Sequence, residues 1–228
     1  MTEKKLVIAI DGPAASGKTT TARLVAVQLG YLHLDTGAMY RAVTLKVLRT
    51  GLNPHDEVAI AQLIRTTHVE LHRQGNDTEV LLDGDDVSDE IRSVEVTKAV
   101  SAVSGIRRVR EAMVQEQRRM AEGRGVVLEG RDIGTVVFPE ADLKIFMGAG
   151  LESRARRRQS ELERRGIKRD VAEFMKEIEE RDRRDSTREA SPLKRAEDAI
   201  VLDTSNMSIQ EQVDFVVKEA VRVFKNKS

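Results

Sequence analysis

The chain has 228 residues, enough for one large domain or for a core that carries a sub-domain. Its 38 basic and 38 acidic residues cancel, so bulk charge does not favour binding to nucleic acid or to an anionic membrane. Cysteine is absent, which excludes disulfides, thiolate metal sites and cysteine nucleophiles, and an aromatic content of 3% disfavours base-stacking surfaces. This composition fits a cytoplasmic protein with no nucleic-acid or membrane partner. Separately from the composition, we expect a monomer.

Short apolar runs alternate with longer helical patterns along most of the chain. Five apolar runs predict strands, of which the run at 32–34 is short and the others are expected to be buried: residues 6–10, 32–34, 126–128, 143–147 and 199–202. The main helix candidates are residues 19–29, 37–48 and 171–188. This rhythm predicts an α/β fold in which helices cover both faces of a parallel sheet.

Residues 68–87 break this rhythm with a period of two. Val69 and Leu71 alternate with polar residues, as do Val80 and Leu82 after a Gln-Gly-Asn-Asp turn at 74–77. The pattern predicts a β-hairpin within an insertion, flanked by helices at about 56–66 and 94–122.

Residues 154–169 hold eight basic and two acidic side chains, a local net charge of 8 − 2 = +6. The helix that follows carries compensating acids, so global neutrality hides a positive patch between two helices. We expect this patch to form a mobile lid over about 150–170 that closes on an anionic ligand and excludes water.

One motif determines the class of ligand. Residues 12–19 match G-x-x-x-x-G-K-[ST] at every constrained position, between a predicted strand and a predicted helix. Such a loop turns its backbone N–H groups inward around phosphate, while Lys18 reaches the outer phosphates and the Thr19 hydroxyl ligates Mg²⁺. The predicted ATP-binding residues are Gly12, Pro13, Ala14, Ala15, Ser16, Gly17, Lys18, Thr19 and Thr20.

The rest of the sequence disfavours other P-loop classes. The guanine-reading Asn-Lys-x-Asp motif and the Asp-x-x-G switch element do not occur, which argues against a signalling GTPase. Arginines stand at the ends of predicted elements, including Arg41, Arg131 and the cluster from 154 to 188. Because transfer between two phosphates needs fixed cations, this pattern indicates phosphoryl transfer to a small acceptor.

Four blocks carry a resemblance that extends over nearly the whole chain: residues 12–20, Asp35-Thr36-Gly37-Ala38-Met39-Tyr40-Arg41, Gly130-Arg131-Asp132-Ile133-Gly134-Thr135-Val136-Val137-Phe138-Pro139 and Arg181-Asp182-Arg183-Arg184-Asp185. With Leu82-Asp83-Gly84, Val87-Ser88 and Ile91-Arg92 in the insertion, they resemble the bacterial cytidylate kinases. The block at 130–139 is far more specific than the P-loop, because generic nucleotide kinases lack it.

The resemblance implies transfer of the γ-phosphoryl group of ATP to CMP or dCMP, with Mg²⁺, giving CDP or dCDP and ADP. It also implies a single kinase domain of three parts. The core comprises residues 4–35, 123–150 and 198–225, the region for the monophosphate with its β insertion spans about 36–122, and the lid spans about 150–170.

The resemblance also assigns individual residues. Ser101, Arg110 and Asp132 would read cytosine, and Asp185 and Arg188 would contact the sugar and the phosphate region. Thr36, Arg41, Arg131 and Arg181 would bind the acceptor phosphate, and Tyr40 belongs to the same substrate site. The catalytic set would be Lys18, Arg131, Arg181 and, in the lid, Arg158; Arg154 is a second lid candidate.

The chemistry of cytosine supports the role of Asp132. A carboxylate accepts a hydrogen bond from the exocyclic N4 amine of cytosine, whereas uracil presents a carbonyl oxygen there. Two other hypotheses remain open. The chain could be another small P-loop kinase acting on UMP, AMP, dTMP or shikimate, or a non-catalytic ATP-binding regulator, which would bind ATP without turning over any acceptor.

Overall fold

The computed structural model describes residues 5–75, 77–164, 166 and 168–227. Three predictions therefore extend beyond the described residues: the core at Lys4, the hairpin turn at Asn76, and the positive patch with its lid at Arg165 and Ile167.

Eight strands and eight α-helices form within the described residues. The strands are β1 Val7–Asp11, β2 Leu32–Asp35, β3 Val69–Gln74, β4 Asp77–Leu82, β5 Asp85–Asp86, β6 Val126–Gly130, β7 Leu143–Gly148 and β8 Ile200–Asp203. The helices are α1 Lys18–Leu29, α2 Thr36–Arg49, α3 Glu57–Leu63, α4 Val94–Val103, α5 Arg107–Ala121, α6 Leu151–Glu163, α7 Val171–Thr187 and α8 Ile209–Lys227. Short 3₁₀ turns follow at Ile64–Thr66 and Glu90–Arg92, and one π-helical turn spans Ile133–Val137.

A five-stranded parallel sheet in the order β2-β6-β1-β7-β8 forms the centre of the molecule. Helices α1 and α8 bury Ala22, Val25 and Val216 against one face. Helix α2 covers the other face, and α4 and α5 pack into the same core, where Met39 and Val109 are fully buried. The predicted α/β fold with helices on both faces is confirmed.

The carboxyl ends of β1 and β6 lie side by side, because Asp11 pairs in register with Gly130. The P-loop leaves the end of β1, and residues 131–137 leave the end of β6. Ligands of open α/β sheets bind in the crevice at this edge.

The insertion is a separate three-stranded antiparallel sheet in the order β3-β4-β5. Val69 pairs with Leu82 and Leu71 pairs with Val80, and all four are buried as the period of two predicted. The third strand, β5, was missed because it consists of two exposed aspartates, a residue type depleted in strands.

Two predictions about elements are wrong. A continuous helix over 94–122 does not form; α4 ends at Val103 and a turn at 104–106 precedes α5, since Gly105 has low helix propensity and its N–H bonds to Ala102 instead. The strand at 199–202 is not buried on both faces, because β8 is the edge strand and Val201 is 51% exposed.

Residues 154–163 of the positive patch lie in α6, and α7 begins beyond the patch at Val171. Helices α6 and α7 pack together through Ala155, Phe174 and Ile178 and form a small core of their own. Over the part of the chain that the structure describes, no helix is both long and apolar enough to cross a membrane.

Candidate nucleotide-binding site

The P-loop has the backbone conformation that phosphate binding requires. Gly12 has φ 154°, and a Cβ there would lie 2.0 Å from the carbonyl oxygen of Met147, so only glycine fits. Ala15 and Gly17 have φ values of 58° and 94°, both in the left-handed region. Such alternation turns successive N–H groups toward one point, which makes an anion-binding nest at the start of α1.

Lys18 is buried at the base of this loop. Its Nζ donates to the carbonyl oxygen of Pro13 at 2.7 Å and to Oγ of Ser16 at 3.2 Å. Burial, together with the positive charge of Arg131, lowers the pKa of Lys18 to about 7. An anionic phosphate at this position would stabilise the charged amine.

Thr19 is joined to a carboxylate that the sequence analysis did not assign. Its hydroxyl donates to Oε2 of Glu129 at 2.8 Å. Glu129 is buried near the end of β6, and its Oε1 lies 3.3 Å from Nε2 of His33. Within the described residues that oxygen accepts no hydrogen bond. A hydroxyl and a carboxylate thus stand together beside the phosphate loop.

A cluster of guanidinium groups faces the same edge of the sheet. Arg181 is the centre of this cluster, because Arg131, Arg41 and Arg158 all act on its charge. Burial and the charge of Arg131 lower the pKa of Arg181 to about 10. Among the residues that the structure describes, the guanidinium group of Arg181 makes no hydrogen bond and no ion pair. Arg131, Arg41 and Arg158 each pair with a carboxylate, so the Arg181 guanidinium is the group of this cluster that is most available to anionic oxygens.

Asp185 supplies the nearest opposite charge. The Nε of Arg131 donates to its Oδ2 at 2.8 Å. Burial opposes ionisation of Asp185, but Arg131 and Arg181 outweigh it and hold the pKa of this carboxyl below its usual value. The ion pair orients Arg131 and leaves part of its guanidinium group for a ligand.

The start of α2 contributes two further predicted residues. Asp35 caps the helix by accepting from the N–H of Ala38 at 2.8 Å and holds Arg41 by an ion pair of 3.0 Å. Thr36 donates its hydroxyl to the carbonyl oxygen of Glu129 at 2.6 Å, which ties α2 to the end of β6. Arg41 is thereby fixed at the edge of the cluster.

A second part of the site holds the predicted base readers. Arg110 and Asp132 are each only 3% exposed, and Nη2 of Arg110 donates to Oδ2 of Asp132 at 2.6 Å. The guanidinium group lies 5.0 Å from the centre of the Tyr40 ring and also donates to the carbonyl oxygen of Ser104 at 3.0 Å. Arg188 approaches the other carboxylate oxygen of Asp132 at 3.6 Å. Arg110 and Asp132 are therefore held in place by several contacts. Oδ2 of Asp132 accepts a short hydrogen bond, whereas Oδ1 has only the 3.6 Å contact with Arg188.

The structure also places the remaining predicted residues. Ser101 is half-buried in α4, one turn before Ser104, at the helix end that contacts Arg110. Arg158 is a third exposed and pairs with Glu161 at 2.9 Å. Thr20 is exposed in the first turn of α1.

Arg154 has a different position from Arg158. It donates to the carbonyl oxygens of Ala149 at 2.9 Å and Ala14 at 3.1 Å, and it pairs with Asp182. Asp182 in turn accepts from the N–H of Ala14 at 3.1 Å. Arg154 and Asp182 thus connect helices α6 and α7 to the P-loop, a link that sequence reasoning missed because it joins three distant segments.

Another missed connection lies beside it. Arg157 donates to the carbonyl oxygen of Ser16 at 3.2 Å and to Oγ1 of Thr204 at 3.1 Å. Oγ1 of Thr204 itself donates to the same Ser16 carbonyl at 3.0 Å. The only signal in the sequence was the arginine run itself, which does not show which member faces the loop.

Fold and site together define a class. A P-loop at the end of the strand β1, flanked by β6 and β7 in a five-stranded parallel sheet, with an arginine-rich helical pair above it, is the architecture of the small P-loop kinases.

Comparison with known proteins identifies the family within this class. The model of the cytidylate kinase family matches residues 8–222. A cytidylate kinase from Desulforamulus reducens is 53% identical over 95% of this chain and 97% of its own length. A cytidylate kinase from Caldicellulosiruptor bescii is 48% identical over 98% of this chain and 99% of its own length. An uncharacterized protein from Eubacterium ventriosum shares the fold, with a TM-score of 0.50 over 94% of this chain and 98% of its own at 12% identity. The chain belongs to the cytidylate kinase family, as the sequence motifs indicated.

Proposed function

We propose that this chain transfers the γ-phosphoryl group of ATP to CMP or dCMP, producing ADP and CDP or dCDP. The observation that carries the proposal is the buried Arg110–Asp132 pair, which adjoins a guanidinium cluster at the mouth of the P-loop. The first feature suits a cytosine base, and the second suits the two phosphate chains that must meet for transfer.

The base site distinguishes cytosine from uracil by charge. The Asp132 oxygen that faces Arg188 at 3.6 Å would accept the N4 amine of cytosine. Arg110, fixed by Asp132 and by the Ser104 carbonyl, would donate to the ring acceptors N3 or O2. Uracil would set its carbonyl oxygen against the carboxylate, so UMP would be rejected. Ser101, one turn before Ser104 in α4, would complete this set.

Catalysis would depend on position and charge. The P-loop N–H groups and Lys18 would hold the donor phosphates of ATP, and Arg41, Arg131 and Arg181 would hold the phosphate of CMP. An oxygen of the CMP phosphate then attacks the γ-phosphorus in line while the bridging oxygen to ADP departs. The acceptor oxygen is already anionic, so no general base is required. Asp185 would orient Arg131 and, with Arg188, contact the sugar side.

The residues present also fit a magnesium ion. Thr19 and Glu129 supply a hydroxyl and a carboxylate that already lie 2.8 Å apart, and one Glu129 oxygen has no hydrogen bond among the described residues. No larger cluster of metal-ligating side chains occurs among those residues, which suits an ion that takes most of its ligands from phosphates and water. When bound, Mg²⁺ neutralises charge on the phosphate oxygens.

The three predicted regions belong to the same proposal. Residues 4–35, 123–150 and 198–225 would form the core, 36–122 the region for CMP, and 150–170 the lid. Closure of the lid would bring Arg158 toward Arg181 and exclude water from ATP. We propose that the enzyme acts as a monomer, which light scattering after gel filtration would test.

A panel of acceptors tests the function directly. With ATP and Mg²⁺, ADP formation should be far faster with CMP or dCMP than with UMP, AMP, dTMP or shikimate. ATP hydrolysis without an acceptor should be slow. Preference for another acceptor would assign the chain to a different small kinase, and ATP binding without any turnover would identify a regulator. Either result would contradict the proposal.

A further inference from the structure

One buried carboxylate has no role in the function proposed above. Asp11 is the last residue of β1 and is 6% exposed. Its Oδ1 accepts from the N–H of Ile133 and its Oδ2 from the N–H of Gly134, each at 2.8 Å. Burial raises the pKa of Asp11 to about 6, although these two N–H groups and Lys18 act in the opposite direction.

The two N–H groups belong to a functionally important segment. Ile133 and Gly134 begin the π-helical turn that directly follows Arg131 and Asp132. Asp132 itself has φ −145° and ψ 23°, outside the helical and extended regions, so its position depends on contacts beyond its own backbone preference. Asp11 supplies two of these contacts immediately after it.

The same carboxylate is covalently adjacent to the P-loop. Gly12 follows Asp11, and the close approach of Gly12 to Met147 leaves the backbone at this point little freedom. One rigid residue therefore connects the loop for the phosphate donor with the segment that carries Arg131 and Asp132. The opposite end of that segment is held by different groups, since Arg118 donates to the carbonyl oxygens of Val136 and Val137.

We propose that Asp11 is a positioning residue that fixes Asp132 relative to the P-loop and thereby sets the selectivity for cytosine. The inference rests on the proposed function, because it assumes that Asp132 reads the base. Asp11 touches no substrate in this account. It acts by holding the backbone after Asp132, so that the distance between the base-reading carboxylate and the donor phosphates stays constant.

The variant Asp11→Asn tests this role with little change of shape. An asparagine retains one oxygen for one N–H group but turns an NH₂ group toward the other, which loses a buried hydrogen bond. The assay is done at pH 8, where the wild-type carboxylate is ionised. We expect kcat/KM for CMP to fall about tenfold and the ratio of kcat/KM for CMP to that for UMP to fall by a similar factor. The affinity for ATP should change by less than about threefold. Amide hydrogen exchange should accelerate at Ile133 and Gly134.

Two further variants complete the design. Asp142→Asn is the matched control, because Asp142 accepts the N–H of Val7 at the opposite end of β1; it should leave the CMP-to-UMP ratio unchanged. Gly134→Ala keeps Asp11 intact but places a Cβ 3.1 Å from the Lys144 side chain and 3.4 Å from Oδ2 of Asp11, so that Lys144 or the segment must shift by a few tenths of an ångström. It should lower the ratio in the same direction as Asp11→Asn.

The outcomes separate this inference from the function on which it rests. A wild-type chain that does not phosphorylate CMP would refute the proposed function, and exchange at Ile133 and Gly134 would still decide whether Asp11 holds them. With an active wild type, an unchanged CMP-to-UMP ratio in folded Asp11→Asn would overturn the role in selectivity. An equal loss of ATP affinity and CMP use would also overturn it, since that pattern indicates a general distortion of the P-loop.

Discussion

Replacing Asp132 with asparagine should change which base the enzyme accepts. Asparagine has nearly the same shape, so its oxygen can still accept from Arg110, whose partner atom now lies 2.6 Å away. The other carboxylate oxygen becomes an NH₂ donor where cytosine presents its own N4 donor. Two facing donors repel, whereas an NH₂ group would donate to the O4 carbonyl of uracil.

The magnitude follows from one lost base contact. A good contact to a base edge is worth about 1–3 kcal/mol, which corresponds to a decrease in kcat/KM for CMP of roughly 5- to 150-fold. UMP should gain relative to CMP by at least that factor. Because Arg110 keeps a hydrogen bond to the new side chain and to Ser104, the fold should survive, although a weakened buried pair will lower the melting temperature.

The assay measures ADP release with a linked enzyme system at several concentrations of CMP and UMP, with ATP saturating. Asp89→Asn, at an exposed aspartate, is the matched control and should behave as wild type. If folded Asp132→Asn used CMP at the wild-type rate and still rejected UMP, Asp132 would not be the base reader, and the assignment of the base site would be wrong.

Three further substitutions test the charges. Arg181→Met should lower kcat by about 10²-fold or more, because a cation at the acceptor phosphate is lost. The melting temperature should nevertheless rise, because the change removes the burial cost and the repulsion by Arg131 that together lower the pKa of Arg181; a lower melting temperature would contradict this. Glu129→Gln should raise the Mg²⁺ concentration needed for half-maximal velocity about tenfold or more, and an unchanged Mg²⁺ dependence would remove Glu129 from the metal site. Asp185→Asn should destabilise the protein against urea at pH 6. Because the pKa of Asp185 is lower in the folded state than the 3.8 of the unfolded state, the difference between variant and wild type should shrink only as the pH falls below 3.8 toward the folded-state pKa. A difference that disappears above pH 5 would contradict the assigned direction.

The sequence predicted local features well, because their signals are local. The P-loop is recognised from a fixed spacing of glycine, lysine and threonine within eight residues. The buried face of the hairpin is recognised from the alternation of apolar and polar residues between Val69 and Leu82. The helix break at 104–106 was missed because α4 and α5 have compatible polar and apolar patterns on either side. A single glycine lowers helix propensity by about 1 kcal/mol, which tertiary packing can overcome or exploit.

The connections between distant segments could not be predicted in this way. Glu129 meets Thr19 across 110 residues, and Asp11 meets Ile133 across 122. Both contacts follow from the adjacency of β1 and β6, and the sequence does not specify strand order. Asp11 ends β1, and Glu129 lies one residue before the end of β6. A carboxylate is unusual in a buried strand, and that position was the signal that could have identified them.

A crystal structure with CMP and a non-hydrolysable ATP analogue would test the central claim most directly. The account predicts that the N4 amine of cytosine lies about 3 Å from an oxygen of Asp132. It also predicts that Lys18 contacts the ATP phosphates while Arg131 and Arg181 contact the CMP phosphate. A cytosine bound away from Asp132, or a CMP phosphate that touches neither Arg131 nor Arg181, would contradict it.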